Sequence, residues 1–456
     1  MDASPAPRAS GSGGNGLTVA TLAIVTLMAL NVNGREIGSY DTQPTKFAAR
    51  ELVLRHTLTL DRVVAAAPAL ADRPGFARSR DGHYRSAYSV VPSIIAAGPA
   101  WLLSAAGVLD LDAPLAPAIV AKLTASLLVT TAVVLAYFAA RRRTSAVAAA
   151  VIAAGFGLGT NVWLSAQTLG AHETVVATLT AAVLCLTAPG KQWRGWRAWM
   201  ATTMLAIAGA ARPQLAPAIA VLLLSMIARG SGRVRDWLPI SMTAIGAVLV
   251  VGVNVMWFGS PLGAAPRLEA LHPSVHAVAG TFSTHPWTGA AGLLVSPSRG
   301  LLVFSPIVLV VAGGLRCAWR EGRSGPLGWL LLAALAQFGL YASYSVWWGG
   351  HAYGPRYCVD LLPLLVPVAS AAVPGIARSR LTKIACSVAF AWSVLMAATG
   401  AFVYPAERWN TDPTEIDRDH ARLWDWSDPQ FVRCWRRGFS PENFNLFSGF
   451  NSPVPR

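Results

Sequence analysis

The sequence predicts an all-α polytopic membrane protein that crosses the bilayer about eleven times. Of its 456 residues, 54% are hydrophobic and only 13% are charged, whereas soluble domains carry roughly 25% charged residues. Several apolar runs approach the roughly 20 residues that a helix needs to span hydrocarbon. The charges lie in short clusters between those runs, which a soluble core does not explain.

The basic balance, a net charge of +15, follows the same pattern. Basic clusters beside apolar segments are typical of orientation signals and of contact with anionic headgroups. We therefore expect membrane lipid, and not nucleic acid, as the partner of these charges. The five cysteines form no CxxC pair, so neither a disulfide framework nor a zinc site is indicated.

The N-terminal residues 1–16 are rich in Ala, Pro, Ser and Gly and are predicted to be disordered and cytoplasmic. Residues 17–33 are apolar and form the predicted first span. We prefer a retained span to a cleaved signal peptide because no A-x-A-like cleavage site follows. The whole membrane domain then covers residues 17–404, and a short extracytoplasmic tail covers residues 405–456.

Basic loops orient the spans. The predicted spans are 17–33, 116–139, 145–162, 172–188, 197–211, 214–228, 237–257, 299–315, 326–346, 357–375 and 384–404. Alternate connections each carry three basic residues, namely Arg141, Arg142 and Arg143; Lys191, Arg194 and Arg197; Arg229, Arg233 and Arg235; Arg316, Arg320 and Arg323; and Arg378, Arg380 and Lys383. The positive-inside rule places these loops in the cytoplasm and the remaining connections outside.

One further apolar run, Tyr88 to Leu109, would invert every later loop if it crossed. It contains Pro92 and Pro99, which weaken a straight spanning helix. We interpret it as a juxtamembrane or re-entrant helix in a large first outer loop, residues 34–115.

Asp41 is the leading catalytic candidate in this loop. Pro44 marks a helix start, and apolar residues recur at helical spacing through residue 58, which predicts an interfacial helix over 44–58. The positive end of that helix favours an ionised carboxylate at Asp41. Such a carboxylate could act as a general base or bind a cation, or it could simply cap the helix. Glu36 is a weaker rival because it lies closer to the first span.

Other polar residues are predicted at the outer mouths of spans. His83, Tyr84 and Arg85 follow an Asp-Gly turn signal and could form the polar edge of a substrate cleft or be ordinary interface residues. His172 and Glu173 open a span, where ionisable groups are functional candidates. Arg212 precedes Pro213 in a short outer connection.

Two further arginines are predicted at the outer mouths of spans, and Arg356 is a candidate for binding a lipid phosphate. Arg299 stands at the mouth of a span, and Arg356 lies in a Gly-rich and aromatic stretch with His351, Tyr353 and Tyr357. Guanidinium forks match phosphate geometry. The alternative is a structural ion pair, for example between Arg356 and Asp360. Further candidates for the lining of a substrate cleft are His351, Tyr353 and Tyr357.

The sequence resembles the GT-C superfamily of membrane glycosyltransferases, most of all bacterial relatives of protein mannosyltransferases and of the lipid A aminoarabinose transferase. The resemblance covers the first span to about residue 375. Its carriers are residues 40–45, 84–99, 166–172, 258–263, 296–306 and 347–357. No GxxxxGK[ST], GxGxxG, HExxH or catalytic-serine motif is present, and the inner loops are too short to build a nucleotide site.

The resemblance implies a GT-C-like helical bundle with juxtamembrane helices in the first outer loop. It implies transfer of a sugar, usually with inversion, from a polyprenyl-phosphate donor to a lipid, glycan or protein acceptor outside the cytoplasm of a bacterial plasma membrane. Asp41 matches the acidic base position. Arg299, Arg356 and, more weakly, Arg212 match the residues that hold the donor phosphate.

The chain departs from this pattern in two places. Asp41 is followed by Thr42 and not by a second acid, so no metal site is assigned and a divalent-metal cofactor is left open. The tail from Pro405 is short, so the outer loops or a partner must select the acceptor. The alternatives are a transporter or flippase of lipid-linked glycans and a non-catalytic scaffold of the same fold.

Overall fold

The computed structural model describes residues 12–188, 195–230, 237–270, 280–322 and 325–448. Most of the predicted disordered segment 1–16 and parts of three basic loops lie outside these ranges. In chain order the helices and strands are α1 (Ser12–Asn31), α2 (Gln43–Arg55), α3 (Asp61–Ala66), β1 (Phe76–Arg78), β2 (Tyr84–Ser86), α4 (Val91–Ala105), α5 (Ala116–Arg141), α6 (Ala146–Leu158), α7 (Val162–Ser165), α8 (Ala171–Leu186), α9 (Trp196–Ala211), α10 (Ala216–Arg229), α11 (Ile240–Phe258), α12 (Ala265–Ala270), α13 (Pro286–Val295), α14 (Leu301–Phe304), α15 (Val310–Glu321), α16 (Pro326–Ser343), α17 (Leu362–Arg378), α18 (Arg380–Val403), α19 (Gln430–Arg437) and α20 (Asn445–Ser448).

The all-α prediction is confirmed, and the chain is a multi-pass membrane protein. Among the described residues, five helical segments are long and apolar enough to cross a bilayer by length and composition: Ala116–Arg141, Ile240–Phe258, Pro326–Ser343, Arg356–Arg378 and Arg380–Val403. Five shorter apolar helices accompany them. The count of eleven crossings stays a prediction.

One predicted span is wrong in form. Residues 299–315 do not make a single helix, because α14 ends at Phe304 and a 3-10 turn, Pro306–Leu309, precedes α15. Pro306 lacks the N–H that would continue the helix and its ring obstructs the preceding turn. The break leaves Arg299 in a loop and not on a helix.

The centre of the bundle is built from α5 and α8. α5 packs against α1, α6 and α8, and α8 packs against α9. Small buried residues such as Ala132, Ala136 and Ala182 line these contacts, and such residues let helices in a membrane approach closely. By contrast, α11 has no buried residue and packs mainly on α9, which places it at the lipid-facing edge.

The first outer loop folds as a compact cover. α2 begins at Gln43 with Pro44 in its first turn, and the hairpin of β1 and β2 pairs Phe76 with Ser86. α4 has 15 residues and contains Pro99, so at 1.5 Å per residue it spans only about 22 Å. That length suits the juxtamembrane interpretation of the run Tyr88 to Leu109.

The residues from Pro405 to Phe447 are folded against the same end of the bundle as the first loop. The Ser296 hydroxyl donates to the Leu423 carbonyl at 2.6 Å, and the Phe444 N–H donates to the Asn33 carbonyl at 2.8 Å. We call this end, which carries Asp41, His172, Arg212 and Arg356, the polar mouth.

Candidate functional site

Asp41 is paired with Arg356 at the polar mouth. One carboxylate oxygen accepts a hydrogen bond from Arg356 Nη2, and the other accepts one from the Ser39 hydroxyl. α2 begins after Thr42 without a side-chain cap hydrogen bond. The capping role that the sequence left open for Asp41 is therefore not what the structure has.

The pair remains accessible, with 26% of the Asp41 side chain and 33% of the Arg356 side chain exposed. Burial works against ionisation of Asp41, but the Arg356 guanidinium and the Ser39 hydroxyl outweigh it and lower its pKa from 3.8 to about 2. Asp41 is thus a carboxylate at every physiological pH.

His172 joins two guanidinium groups. Its Nε2 accepts from Arg212 Nη1 at 2.9 Å and from Arg356 Nε at 3.3 Å. Its Nδ1 lies 2.9 Å from a carboxylate oxygen of Asp360. Because both guanidinium groups can only donate, Nε2 must accept, and the proton sits on Nδ1 facing Asp360. His172 is therefore assigned as the neutral Nδ1–H tautomer.

Asp360 is completely buried and holds the inner side of this cluster. Its second oxygen lies 2.9 Å from Arg212 Nε and accepts a hydrogen bond from the Tyr341 hydroxyl. Tyr341 and Tyr357 stack at 5.0 Å, and the Arg212 guanidinium lies 5.5 Å from the Tyr357 ring centroid. The suggested pairing of Asp360 with Arg356 is wrong, because Asp360 pairs with Arg212.

The loop before Arg356 is shaped by glycines. Gly349, Gly350 and Gly354 all have positive φ, a conformation that other residues adopt only with strain. A Cβ at Gly354 would lie 2.8 Å from the Phe304 ring, so no larger residue fits there. These glycines bring Arg356 back over His172.

Arg299 does not lie on the rim of this cluster. It is fully buried, and its N–H groups donate to the carbonyls of Trp348, Ser298 and Gly350 and to the side chains of Gln430 and Asn410. All of its donor positions are occupied. The structure thus corrects the prediction that Arg299 binds a donor phosphate; it holds the folded tail to the loop before α14.

Tyr353 and His351 also serve the fold. Tyr353 is buried, and its hydroxyl donates to the Met396 carbonyl at 3.0 Å. His351 lies 3.5 Å from Asp417 in the tail. Of the cleft candidates in this loop, Tyr357 alone touches the cluster around His172.

The hairpin candidates form a separate polar group. His83 lies 2.7 Å from Asp61, Arg85 pairs with Asp81 at 2.7 Å, and the Tyr84 N–H donates to Asp61. Within the part of the chain that the structure describes, none of the three contacts Asp41 or Arg356. We assign these residues to the packing of the hairpin.

Glu173 is buried beside the cluster in the first turn of α8. Its carboxylate accepts a hydrogen bond from the Gly170 N–H, which satisfies a free donor at the helix start. Glu36 accepts from Lys46 at 2.6 Å and from the Thr168 hydroxyl at 2.6 Å. Neither acid pairs with Arg356, so in the part of the chain that the structure describes Asp41 is the carboxylate that does.

Sequence reasoning missed three groups at the polar mouth. Tyr341 donates to Asp360, and Tyr88 lies within electrostatic range of Asp41 and Arg356. Lys122 is buried and donates to the side-chain oxygens of Asn33 and Gln167. The available signal for Lys122 was an ionisable residue inside an apolar run, whereas nothing local distinguishes the tyrosines.

Among the described residues, no group of three His, Cys, Asp or Glu side chains could hold a metal ion. Asp41 is instead paired with the Arg356 guanidinium, and the Arg212 guanidinium reaches the same His172 nitrogen as Arg356 does. The arrangement is suited to binding an anion between Arg356 and Arg212 next to the Asp41 carboxylate, because guanidinium forks bind phosphate oxygens.

Comparison with solved structures finds several similar chains. No family profile and no curated protein matches the sequence. ArnT from Cupriavidus metallidurans bound to undecaprenyl phosphate is 16% identical, over 96% of this chain and 76% of that chain, with a TM-score of 0.47. The apo state of the same protein is 15% identical, over 96% and 75%, with a TM-score of 0.48. ArnT is a GT-C lipid A aminoarabinose transferase, one of the groups that the sequence resembles.

Proposed function

We propose that this protein is a membrane glycosyltransferase that moves a sugar from a polyprenyl-phosphate donor to an acceptor hydroxyl at the polar mouth. The observation that carries the proposal is the ionised Asp41, held against Arg356 beside a second guanidinium, Arg212, at one end of an apolar helical bundle. This is the equipment that glycosyl transfer from a lipid phosphate requires.

The two arginines supply the donor phosphate site. Both donate to the same nitrogen of His172, so their guanidiniums lie within the reach of one phosphate group. As the bond between the sugar C1 and the phosphate oxygen breaks, negative charge grows on the departing polyprenyl monophosphate. Positioned guanidiniums stabilise that charge without reorganisation.

Asp41 supplies the base. The acceptor O–H gives its proton to the Asp41 carboxylate, the acceptor oxygen bonds to the sugar C1, and the bond from C1 to the phosphate oxygen breaks. The phosphate leaves with the electron pair and is held by Arg356 and Arg212. Inversion at C1 follows if the acceptor attacks opposite the phosphate, and a lipid, a glycan or a protein could present the hydroxyl.

We further propose that the polar mouth faces the extracytoplasmic side of a bacterial plasma membrane, with the N-terminus inside and the tail outside. Arg141, Arg229 and Arg378 end α5, α10 and α17, and these helices begin at the polar mouth. The basic ends therefore point away from Asp41, in keeping with the positive-inside rule. A reporter fused after Arg456 should report an extracytoplasmic location, and a cytoplasmic signal would overturn this orientation.

The function is tested with the purified chain in lipid nanodiscs and a set of undecaprenyl-phosphate sugars as donors. We expect release of undecaprenyl phosphate together with a glycosylated acceptor, detected by mass spectrometry. Asp41→Asn should lower the rate by roughly 10²–10⁴-fold, while the matched control Asp72→Asn, an exposed acid of the same loop, should not.

The same experiment separates the alternatives. Passage of the intact donor across the bilayer without phosphate release would favour a flippase and overturn the proposal. Failure of undecaprenyl phosphate and of every donor to bind would favour a scaffold.

A further inference from the structure

The tail carries an exposed aromatic and basic surface that the proposed chemistry does not use. Trp435, Phe439, Phe444 and Phe447 are 42%, 78%, 55% and 53% exposed. Arg436 and Arg437 are exposed between them. We call these six residues the tail patch.

The tail patch is fixed to the ends of two helices. The Trp435 indole donates to the Thr399 hydroxyl of α18 at 3.0 Å, and the Phe439 ring lies 5.7 Å from Phe402. The other half of the patch is tied to the end of α1, where the Leu446 N–H donates to the Gly34 carbonyl at 2.8 Å. The exposed rings are therefore held in place and do not belong to a loose end.

The two helices present apolar side chains outward just below the patch. On α18, Val388 and Leu395 are 65% and 48% exposed, and Met28 on α1 and Val32 just after its end are 67% and 50% exposed. Such faces on a multi-pass protein are covered by lipid chains. The patch begins where these faces end, which is the depth of the membrane–water interface.

The chemistry of the patch matches that depth. Aromatic rings collect at the headgroup level of membranes, and basic residues beside them bind anionic headgroups. Arg433 is paired with Asp428 at α19, whereas in the described residues no acid pairs with Arg436 or Arg437. The one acid of residues 430–447, Glu442, lies 3.7 Å from Arg35, so its charge is partly offset.

We propose that residues 430–447 dock on an anionic phospholipid surface, with the rings of the tail patch in the headgroup layer and Arg436 and Arg437 on lipid phosphates. The occupant is the phospholipid surface around the protein and not a soluble anion. Docking would also brace the tail, which holds Arg299 through Asn410 and Gln430.

The charge part is tested by hydrogen exchange of residues 430–447 in the full chain. Nanodiscs of phosphatidylcholine are compared with nanodiscs that also contain phosphatidylglycerol. We expect exchange to slow by roughly tenfold with the anionic lipid, because the attraction of one basic residue to such a surface corresponds to a change of about that size. Free glycerol phosphate added to phosphatidylcholine nanodiscs should have no effect; slowing by it would favour a soluble anion and overturn the assignment.

Matched variants make this result specific. The double variant Arg436→Gln with Arg437→Gln should lose the lipid dependence, while Arg408→Gln with Arg418→Gln, at two other exposed tail arginines, should keep it. Equal exchange in both lipids, or equal loss in both double variants, would refute the proposal.

The depth of the rings is tested separately by fluorescence quenching. Phe439→Cys and the control Thr411→Cys are labelled in a chain whose partly exposed Cys317 and Cys386 are replaced by Ser. Lipids brominated on their acyl chains should quench the label at position 439 strongly and the label at 411 weakly. Equal quenching at the two positions would show that the patch lies away from the bilayer.

Discussion

Asp41→Asn should have opposite effects on phosphate binding and on sugar transfer. The Asp41 carboxylate holds the Arg356 guanidinium in the resting structure, so an incoming phosphate must compete with it. The asparagine side chain removes the competitor and the base at once. We therefore expect undecaprenyl phosphate to bind more tightly to the variant while transfer is lost.

The size of the binding effect follows from the pKa of Asp41. Its fall from 3.8 to about 2 corresponds to about 2.5 kcal/mol of preference for the charged form. Ser39 contributes to that preference, and a quarter of the carboxylate side chain is exposed, so roughly half belongs to Arg356 after screening by solvent. Returning about 1.25 kcal/mol to the incoming phosphate is about an eightfold gain in affinity.

The assay measures the two quantities independently. The affinity for undecaprenyl phosphate is determined by titration calorimetry in nanodiscs, and the transfer rate is determined with a saturating sugar donor. Ser39→Ala is the matched control, because it removes a hydrogen bond to Asp41 but leaves the ion pair. It should change affinity by less than about threefold.

Two results would refute this reasoning. Weaker phosphate binding by Asp41→Asn would mean that the carboxylate supports the anion site, for example through an ion. Transfer at the wild-type rate would mean that another group is the base, and Glu36 would then be the next carboxylate to replace.

Three other predictions concern stability. Arg299→Leu leaves the buried Asn410 and Gln430 oxygens without their donor. The free energy of unfolding, measured from thermal unfolding by tryptophan fluorescence, should therefore fall by about 2–4 kcal/mol. A change below about 0.5 kcal/mol would contradict this prediction. Gly354→Ala should lower the free energy of unfolding by about 1–3 kcal/mol because of the positive φ of Gly354 and its close approach to Phe304, and it should also lower the rate of sugar transfer. A Cβ at Gly98 would meet no atom within 4 Å, so the control Gly98→Ala should leave both quantities unchanged. The pKa of Asp41 is lower in the folded protein than its ordinary 3.8, so the stabilisation that the carboxylate provides is fully present above about pH 4 and is lost as the pH falls toward 2. The unfolding temperatures of the wild type and Asp41→Asn should therefore differ at pH 6 and converge at acid pH. A difference that vanishes near pH 6 would contradict this assignment.

The helices were predictable because their signal is dense. Each apolar run supplies many residues that agree with one another, and the basic clusters fix the parity of the loops. The failure at residues 299–315 came from a single residue, Pro306, inside an otherwise apolar run. Hydropathy averages over a window and does not register a missing N–H.

The site was predictable in its residue types but not in its pairings. Asp41 and Arg356 lie 315 positions apart in the sequence, and no spacing rule joins groups at that separation. Arg299 is an example of this limit, because an arginine at the mouth of a span can face a cleft or be buried by a distant segment. The residues that bury it, Asn410 and Gln430, lie in the tail. The tail itself was predicted only as a short extension.

The resting charge balance of the cluster determines how a donor can enter. Arg356 is neutralised by Asp41 and Arg212 by Asp360, and His172 between them is neutral. A donor phosphate adds negative charge to a balanced site, so one carboxylate must give up its partner. Asp360 is fully buried and has three partners, whereas Asp41 is partly exposed and lies in a loop. Asp41 is therefore the one displaced, and the loss of Arg356 raises its pKa and makes it a stronger base. Donor binding and activation of the base are then a single event, from which we expect the donor to bind before the acceptor is deprotonated.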